Sequence, residues 1–305
     1  LRERHDGDPG THHKPHLSPL PSTPLEEEKV NRSSQATHER VRVSLELVPR
    51  SLEALERELA LARDKLPGVT MVNVPDLLRF ELRSYHACAA AKRHYPQAVP
   101  HLRAIDFNLL GPLKLARFLD EHGLGEVLVV NGDAPADMSR TVYPTSSVQL
   151  IRRLRLELPD LRIYAALDPY RQSFVKERDY AHEKLDAGAD GFFTQPFFDL
   201  RLMAVYRELL SGVEIFWGVT PVTSERSLGY WQGRNKAIFP QNFEPTLAWN
   251  VAFAEAALDF VREQGGHIYF MPIRTDPVRY LERVLGRPQA KPKVTSNKAQ
   301  PTALR

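Results

Sequence analysis

Short apolar runs alternate along this chain with longer stretches in which apolar residues recur every three or four positions. The runs are VRVSLEL (Val41–Leu47), GVTMVNV (Gly68–Val74), AVPHLRAID (Ala98–Asp106), EVLVVNGD (Glu126–Asp133), LRIYAAL (Leu161–Leu167), DGFFTQ (Asp190–Gln195), VEIFWGV (Val213–Val219) and HIYFMPI (His267–Ile273). Their length and near-continuous apolar character predict strands buried on both faces. A helical pattern follows each one. The first is SLEALERELALARDKL, with Ser51 as candidate N-cap and Glu53 placing negative charge in the first turn. Ala54 stands where a capping box needs Glu or Gln. The later patterns include YHACAAAKRHY, PLKLARFLDEHG, VQLIRRLRLEL, LRLMAVYRELL, AWNVAFAEAALDFVREQGG and DPVRYLERVLG. Eight strand–helix units predict one closed (β/α)8 TIM-type barrel, an α/β fold that typically takes about 250 residues. The rival is an open doubly wound sheet. It would usually carry a glycine-rich phosphate loop after the first strand, where this chain has LVPRS.

The barrel pattern fills residues 39–286 of the 305. Residues 1–38 are rich in Pro, His, Ser and charge and predict a disordered tail, as do residues 287–305. His12, His13 and His16 lie in the first tail, and a solvated tail explains them better than a metal site. The chain starts at Leu1 and reads as a fragment or a processed form. A hydrophobic share of 42% and a charged share of 26% suit a globular domain with a sizeable core. The net charge of +3 gives no electrostatic case for nucleic acid or a membrane as partner. No apolar run reaches the roughly 20 residues that span a bilayer. Cys88 is the single cysteine, which excludes an intrachain disulfide and makes a reducing cytoplasm the natural compartment.

In such a barrel, chemistry sits at the C-terminal ends of the strands. The polar residues there are Glu46, Asn73, the segment His101 to Asp106, Asn131-Gly132-Asp133, Asp168, Thr194-Gln195, Thr220 and Arg274. Glu46 lies in the apolar run LELVP, where desolvation raises a carboxyl's pKa and suits it to act as a general acid. A carboxylate paired with Arg103 or Arg274 inside the barrel is the equal alternative. Gly132 permits a tight turn or close approach of a ligand, and Asp133 after it fits a site residue or an ordinary strand-to-helix turn. His101 reads as a core histidine, and Lys184 as part of a solvated helix face. Gln195 ends a buried strand, so its amide needs partners that a ligand can supply. No HExxH, GxSxG or Walker loop occurs, and no metal triad is visible.

Several segments together resemble the methylenetetrahydrofolate reductase family. KLDAGADGFFTQPFFD (Lys184–Asp199) looks like the family's K-x-DAGA-x-x-x-x-TQ-x-FFD signature. VSLELVP, VPHLRAID, VVNGDAP, GVTPV and HIYFMPIR resemble five further family segments, in the same order and at strand positions. The resemblance implies a barrel holding flavin adenine dinucleotide (FAD) at its mouth. It implies reduction of 5,10-methylenetetrahydrofolate to 5-methyltetrahydrofolate with NAD(P)H as electron donor, in one-carbon metabolism feeding methionine biosynthesis. By the same resemblance Glu46 matches the acid that opens the folate ring, and Asp133 a carboxylate near flavin and pterin. His101, Asn131, Gly132, Asp133, Glu177 and Lys184 fall at cofactor-contacting positions; Gln195, Trp231 and Arg274 fall at substrate-contacting ones. The chain departs from the pattern around the dinucleotide. Asn131 replaces an arginine, Glu177 an aspartate, NVPDLLRFELRS a Gly- and Thr-rich segment, and ALDPY the family's A-x-YPE-x-HP.

Two further functions compete with the reductase. One is a folate- or C1-carrier-binding barrel that is non-catalytic or works without FAD. The other is a barrel acting on an unrelated substrate, since fold does not fix function. The sequence leaves room for a homo-oligomer and does not choose between NADH and NADPH.

Overall fold

The computed structural model of the chain describes residues 40–135 and 141–286. Both tails, with His12, His13 and His16, lie outside the described residues. Strands and helices alternate, with one additional helix after β7: β1 (Val43–Glu46), α1 (Leu52–Lys65), β2 (Met71–Val74), α2 (Ser84–Ala91), β3 (Ala98–Arg103), α3 (Lys114–Glu121), β4 (Glu126–Val130), α4 (Ser147–Glu157) and β5 (Arg162–Leu167). Then come α5 (Phe174–Asp186), β6 (Gly191–Thr194), α6 (Leu200–Leu209), β7 (Glu214–Val219), α7 (Glu225–Gly233), α8 (Leu247–Gln264), β8 (His267–Phe270) and α9 (Pro277–Leu285). The eight strands are parallel and close in sequence order, with β1 paired to both β2 and β8. This is the predicted (β/α)8 barrel; the open-sheet rival is excluded by the closure.

Local signals act as their chemistry dictates. Ser51 caps α1 by accepting from Ala54 N at 3.1 Å. Ser146 and Gln149 form a reciprocal capping box at α4. The strands end earlier than the apolar runs suggested, because their last residues turn away to build the barrel mouth. Ala104–Asp106 is a 3-10 turn after β3, and Asn131–Asp133 have already left β4. The longer connection after β7 holds α7, a helix the pattern did not predict.

The closed sheet separates two apolar clusters. Leu45, Val72, Val129, Ile163, Phe192, Trp217 and Phe270 face outward and pack beneath the helices. Met71, Val99, Leu128, Tyr164, Phe193, Phe216, Tyr269 and Met271 fill the barrel itself. In β4, β5, β7 and β8 both phases are largely apolar, which hides the period-2 alternation in the sequence, whereas β1 shows it as Val43 and Leu45 outward and Ser44 and Glu46 inward. Phe193 stacks on Phe216 at 4.1 Å, with Tyr164 edge-on to both.

Beneath these rings a charged layer closes the N-terminal floor. Arg42 donates to Glu126 at 2.5 Å and to the Tyr164 hydroxyl at 2.9 Å. Glu214 accepts from Tyr164 at 3.0 Å, lies 3.0 Å from His267 Nε2 and also accepts from Arg162. Burial opposes the Glu214 charge, but the His267 and Arg162 hydrogen bonds outweigh it and hold the carboxyl at about 2. This layer marks the N-terminal end of the barrel, opposite the strand ends where chemistry sits in such folds.

Candidate active site at the barrel mouth

The inward phase of each strand can be followed upward from the aromatic plug. Two residues beyond Ser44 on β1 comes Glu46; beyond Met71 on β2, Asn73; beyond Val99 on β3, His101 and then Arg103. Adjacent strands place Glu46 beside Asn73. Parity and register alone thus gather these side chains at one end.

Glu46 is half-buried and has no hydrogen bond or ion pair among the described residues. Desolvation raises its carboxyl from the usual 4.5 to about 8. At neutral pH it is mostly protonated, the form a proton donor needs. The expected alternative, pairing with Arg103 or Arg274, is not realised. Arg103 turns instead to Asp106 and the Asp133 carbonyl, and Arg274 is exposed. Tyr269 from β8 lies close enough for the Glu46 charge to add to the rise that burial imposes on its phenol. Room for that ring depends on Gly218, where a Cβ would stand 2.9 Å from Tyr269 Cε1 and 2.6 Å from the Thr194 carbonyl.

A buried polar chain runs beside Glu46. Asn73 is fully buried; its Nδ2 donates to Ser44 Oγ at 2.8 Å, and its Oδ1 lies 3.0 Å from His101 Nε2. An amide oxygen only accepts, so His101 carries its proton on Nε2 and leaves Nδ1 as an acceptor. Burial drives the His101 pKa down to about 3, which keeps the ring neutral. His101 is therefore a core histidine as the sequence suggested, but a side chain rather than backbone satisfies its ring.

Other predicted residues fall in different settings. Gln195 is exposed, and only its backbone N–H is engaged, by the Leu167 carbonyl at 2.7 Å. The expectation of a buried amide is corrected: the strand ends at Thr194, and Gln195 already lies on the rim. Asp133 and Asn131 are exposed on the turn after β4, where Gly132 has a φ of 83°. The Asn131 side chain accepts from Ser147 N at 3.0 Å. Arg274 stands on the rim after β8 with a left-handed φ of 55°, which costs a non-glycine residue about 1 kcal/mol. Trp231 is only 6% exposed and lies edge-on to Phe198 at 5.8 Å, so little of its face is open.

Lys184 corrects a second expectation. It is 3% exposed rather than solvated. Its Nζ donates to the Ala166 carbonyl at 2.6 Å and sits 4.0 Å over the Tyr180 ring. Burial lowers its pKa to about 8. Glu177 is fully buried; it accepts from Asp168 N at 3.1 Å, Arg171 at 2.7 Å and Gln172 at 2.8 Å. These contacts tie α5 to the end of β5. Sequence reasoning passed over Arg83, which bridges Asp76 at 2.5 Å and Asp106 at 2.8 Å. It gave Asn73 no role of its own. Counting inward from Glu46 at equal parity would have found Asn73, whereas nothing local marks Arg83.

Two groups near the mouth lack a protein partner. His101 Nδ1 has no partner among the described residues, and Arg103 Nε is buried without one. The His101 Nδ1 acceptor and the exposed Asn131–Asp133 turn fit a ring system bearing N–H and C=O groups. Glu177 and Lys184 have committed their polar atoms to the protein.

Fold and mouth define a parallel eight-stranded barrel of the kind that houses an active site, with a protonated carboxyl facing its open end. The methylenetetrahydrofolate reductase family model matches residues 30–258, and the chain belongs to that family, whose members are oxidoreductases that generally bind flavin. The 5,10-methylenetetrahydrofolate reductase of Pectobacterium carotovorum subsp. carotovorum is 26% identical over 211 residues, 66% of this chain and 71% of the relative. That of Escherichia coli (strain K12) is 25% identical over 205 residues, 64% of this chain and 69% of the relative. Among solved structures, 2,3-dimethylmalate lyase, a PEP mutase/isocitrate lyase superfamily member, overlaps 80% of this chain and 79% of its own with a TM-score of 0.49 and 11% identity. Among the described residues no helix is long and apolar enough to cross a membrane.

Proposed function

We propose that the protein reduces 5,10-methylenetetrahydrofolate to 5-methyltetrahydrofolate, with NAD(P)H as electron donor and FAD as carrier. The observation that carries this reading is Glu46: a carboxyl raised to about 8, half-buried and unpaired, at the mouth of the barrel. The substrate's five-membered ring cannot accept hydride until it opens. A proton given by Glu46 to the departing ring nitrogen lets the C–N bond break, with the electron pair going to nitrogen. An iminium cation remains, and hydride addition to its carbon completes the methyl group. The ionised Glu46 and the exposed Asp133 carboxylate offset the cation's charge. Gln195 on the rim donates to and accepts from the pterin edge, and Arg274 suits the anionic folate tail. Flavin would be held by His101 and the Asn131–Asp133 turn, and it would supply hydride transfer between the nicotinamide and the folate carbon. His101, kept neutral, offers Nδ1 as an acceptor there.

A visible spectrum of the purified protein, before and after incubation with FAD, tests the flavin part. A colourless protein that takes up none would sink it. Folate reduction with NADH and NADPH tests the rest. A second reading, a folate-binding barrel without catalysis or without FAD, is favoured by the protein-committed polar atoms of Glu177 and Lys184. Glu46→Gln separates the two. A reductase loses about 10²–10⁴-fold in rate while keeping folate affinity, and a binding module has no rate to lose.

A further inference from the structure

The turn after β4 carries Asp133, and part of its shape is set from outside the turn. That part comes from the neighbouring strand, β3. Arg103 is the last residue of β3, points along the inward phase and is 6% exposed. Its Nη2 donates to the Asp133 carbonyl. Gly132 crosses directly over it: a Cβ there would lie 2.9 Å from Arg103 Nε and 3.0 Å from Arg103 Cβ. With φ at 83°, Gly132 is the residue that can make this crossing without strain. The backbone also ties the two strands, Ile105 N donating to the Asn131 carbonyl at 3.2 Å.

Arg103 is not an isolated cation. Asp106 Oδ1 lies 3.7 Å from its Nη2, and Asp106 Oδ2 accepts from Arg83, which also holds Asp76. One charge network therefore joins the loops after β2 and β3 to the turn after β4. As a device for stability alone the arrangement is poor. Arg103 Nε is buried with no partner, and an apolar side chain would fill the space without stranding a donor. Holding a carbonyl at one place beside Gly132 is something an apolar side chain cannot do. Asn131 precedes the Gly-Asp pair, so the guanidinium at this turn comes from β3 and not from the turn itself.

We propose that Arg103 is a positioning residue for Asp133: by clamping the Asp133 carbonyl beneath Gly132 it fixes where the Asp133 carboxylate stands at the mouth. What Asp133 does there rests on the reductase reading; that Arg103 sets its place does not. A misplacement of about 1 Å in a catalytic group costs about 10²-fold in rate, so the clamp has a functional consequence beyond stability.

Ala134 is exposed and Cys88 is fully buried, so Ala134→Cys takes a single nitroxide label next to Asp133. Its electron paramagnetic resonance spectrum is recorded with Arg103, with Arg103→Lys and with Arg103→Met. The expected result is loss of the slow-motion component in both variants, with far-ultraviolet circular dichroism unchanged. In unlabelled protein, both variants should lose about 10²-fold in kcat with little change in folate KM, and Asp133→Asn should add little on top of either. Coincident spectra for Arg103 and Arg103→Lys would overturn the proposal, as would kinetic effects that simply add to those of Asp133→Asn. Should Arg103→Met fail to fold, Arg103→Lys carries the comparison, because it keeps the charge and loses the fork. A wild-type protein with no folate turnover refutes the reductase reading; the label spectra still decide whether Arg103 holds the turn.

Discussion

Glu46 is a carboxyl kept neutral by its surroundings, and that has a measurable energetic cost. In the unfolded chain it ionises at an ordinary 4.5, and in the fold at about 8. Below pH 4.5 it is protonated in both states and has no linkage effect. As pH rises toward 8, the unfolded state releases the proton while the folded state retains it, so stability falls by about 1.4 kcal/mol per pH unit. At pH 7 the loss is about 3 kcal/mol, and above pH 8 it levels near about 5 kcal/mol. Glu46→Gln has the same shape and no titration. Denaturant unfolding of both proteins at pH 4.5, 7 and 9 should therefore give equal stabilities at the lowest pH. The variant should lead by about 3 kcal/mol at pH 7 and about 5 kcal/mol at pH 9. The more stable variant should also be the inactive one, since the burial that costs stability is what keeps this acid protonated and able to act as a donor at neutral pH. A stability difference that does not vary with pH would refute the argument: Glu46 would then be solvated or paired in solution, and the general-acid role would lose its basis.

The barrel floor should show the opposite pH dependence. Glu214 is depressed to about 2, so its contribution is present above pH 4.5 and lost as pH falls through 2; Glu214→Gln should abolish an acid-induced loss of about 3 kcal/mol, seen in denaturation at pH 2.5 and 6. Asn73→Ala strands the His101 Nε2–H and the Ser44 hydroxyl and should cost about 2–4 kcal/mol, with His101 titrating nearer its ordinary range by NMR. Cys88 is fully buried and its thiol is pushed well up by burial, so it should resist a thiol reagent in the folded protein and react at once in denaturant; fast native reaction would contradict the packing of α2 on the sheet.

The sequence by itself determined the architecture. Continuous apolar runs such as VLVV and IFWGV, each followed by an amphipathic stretch, leave a parallel sheet covered by helices as the consistent solution, and the count of units closes it. Strand ends also sufficed to nominate Glu46, Asn131, Gly132, Asp133 and Gln195, because in a barrel that end is the mouth. Local signals such as the Ser51 cap needed no tertiary help.

Exposure and pairing were decided only by the tertiary structure. Lys184 has helical periodicity of a surface residue, yet the end of β5 provides a carbonyl and Tyr180 a ring, and it is buried. Gln195 follows an apolar strand, yet the sheet stops one residue earlier and leaves it on the rim. Glu46 had arginines available at positions 103 and 274; it stays unpaired because the first is engaged by Asp106 and the Asp133 carbonyl and the second sits on the exposed turn after β8. Distances between strand ends are set by the closure of the barrel, a property of all eight strands together. A chain read residue by residue shows which groups reach the mouth, but which of them meet there follows from that closure.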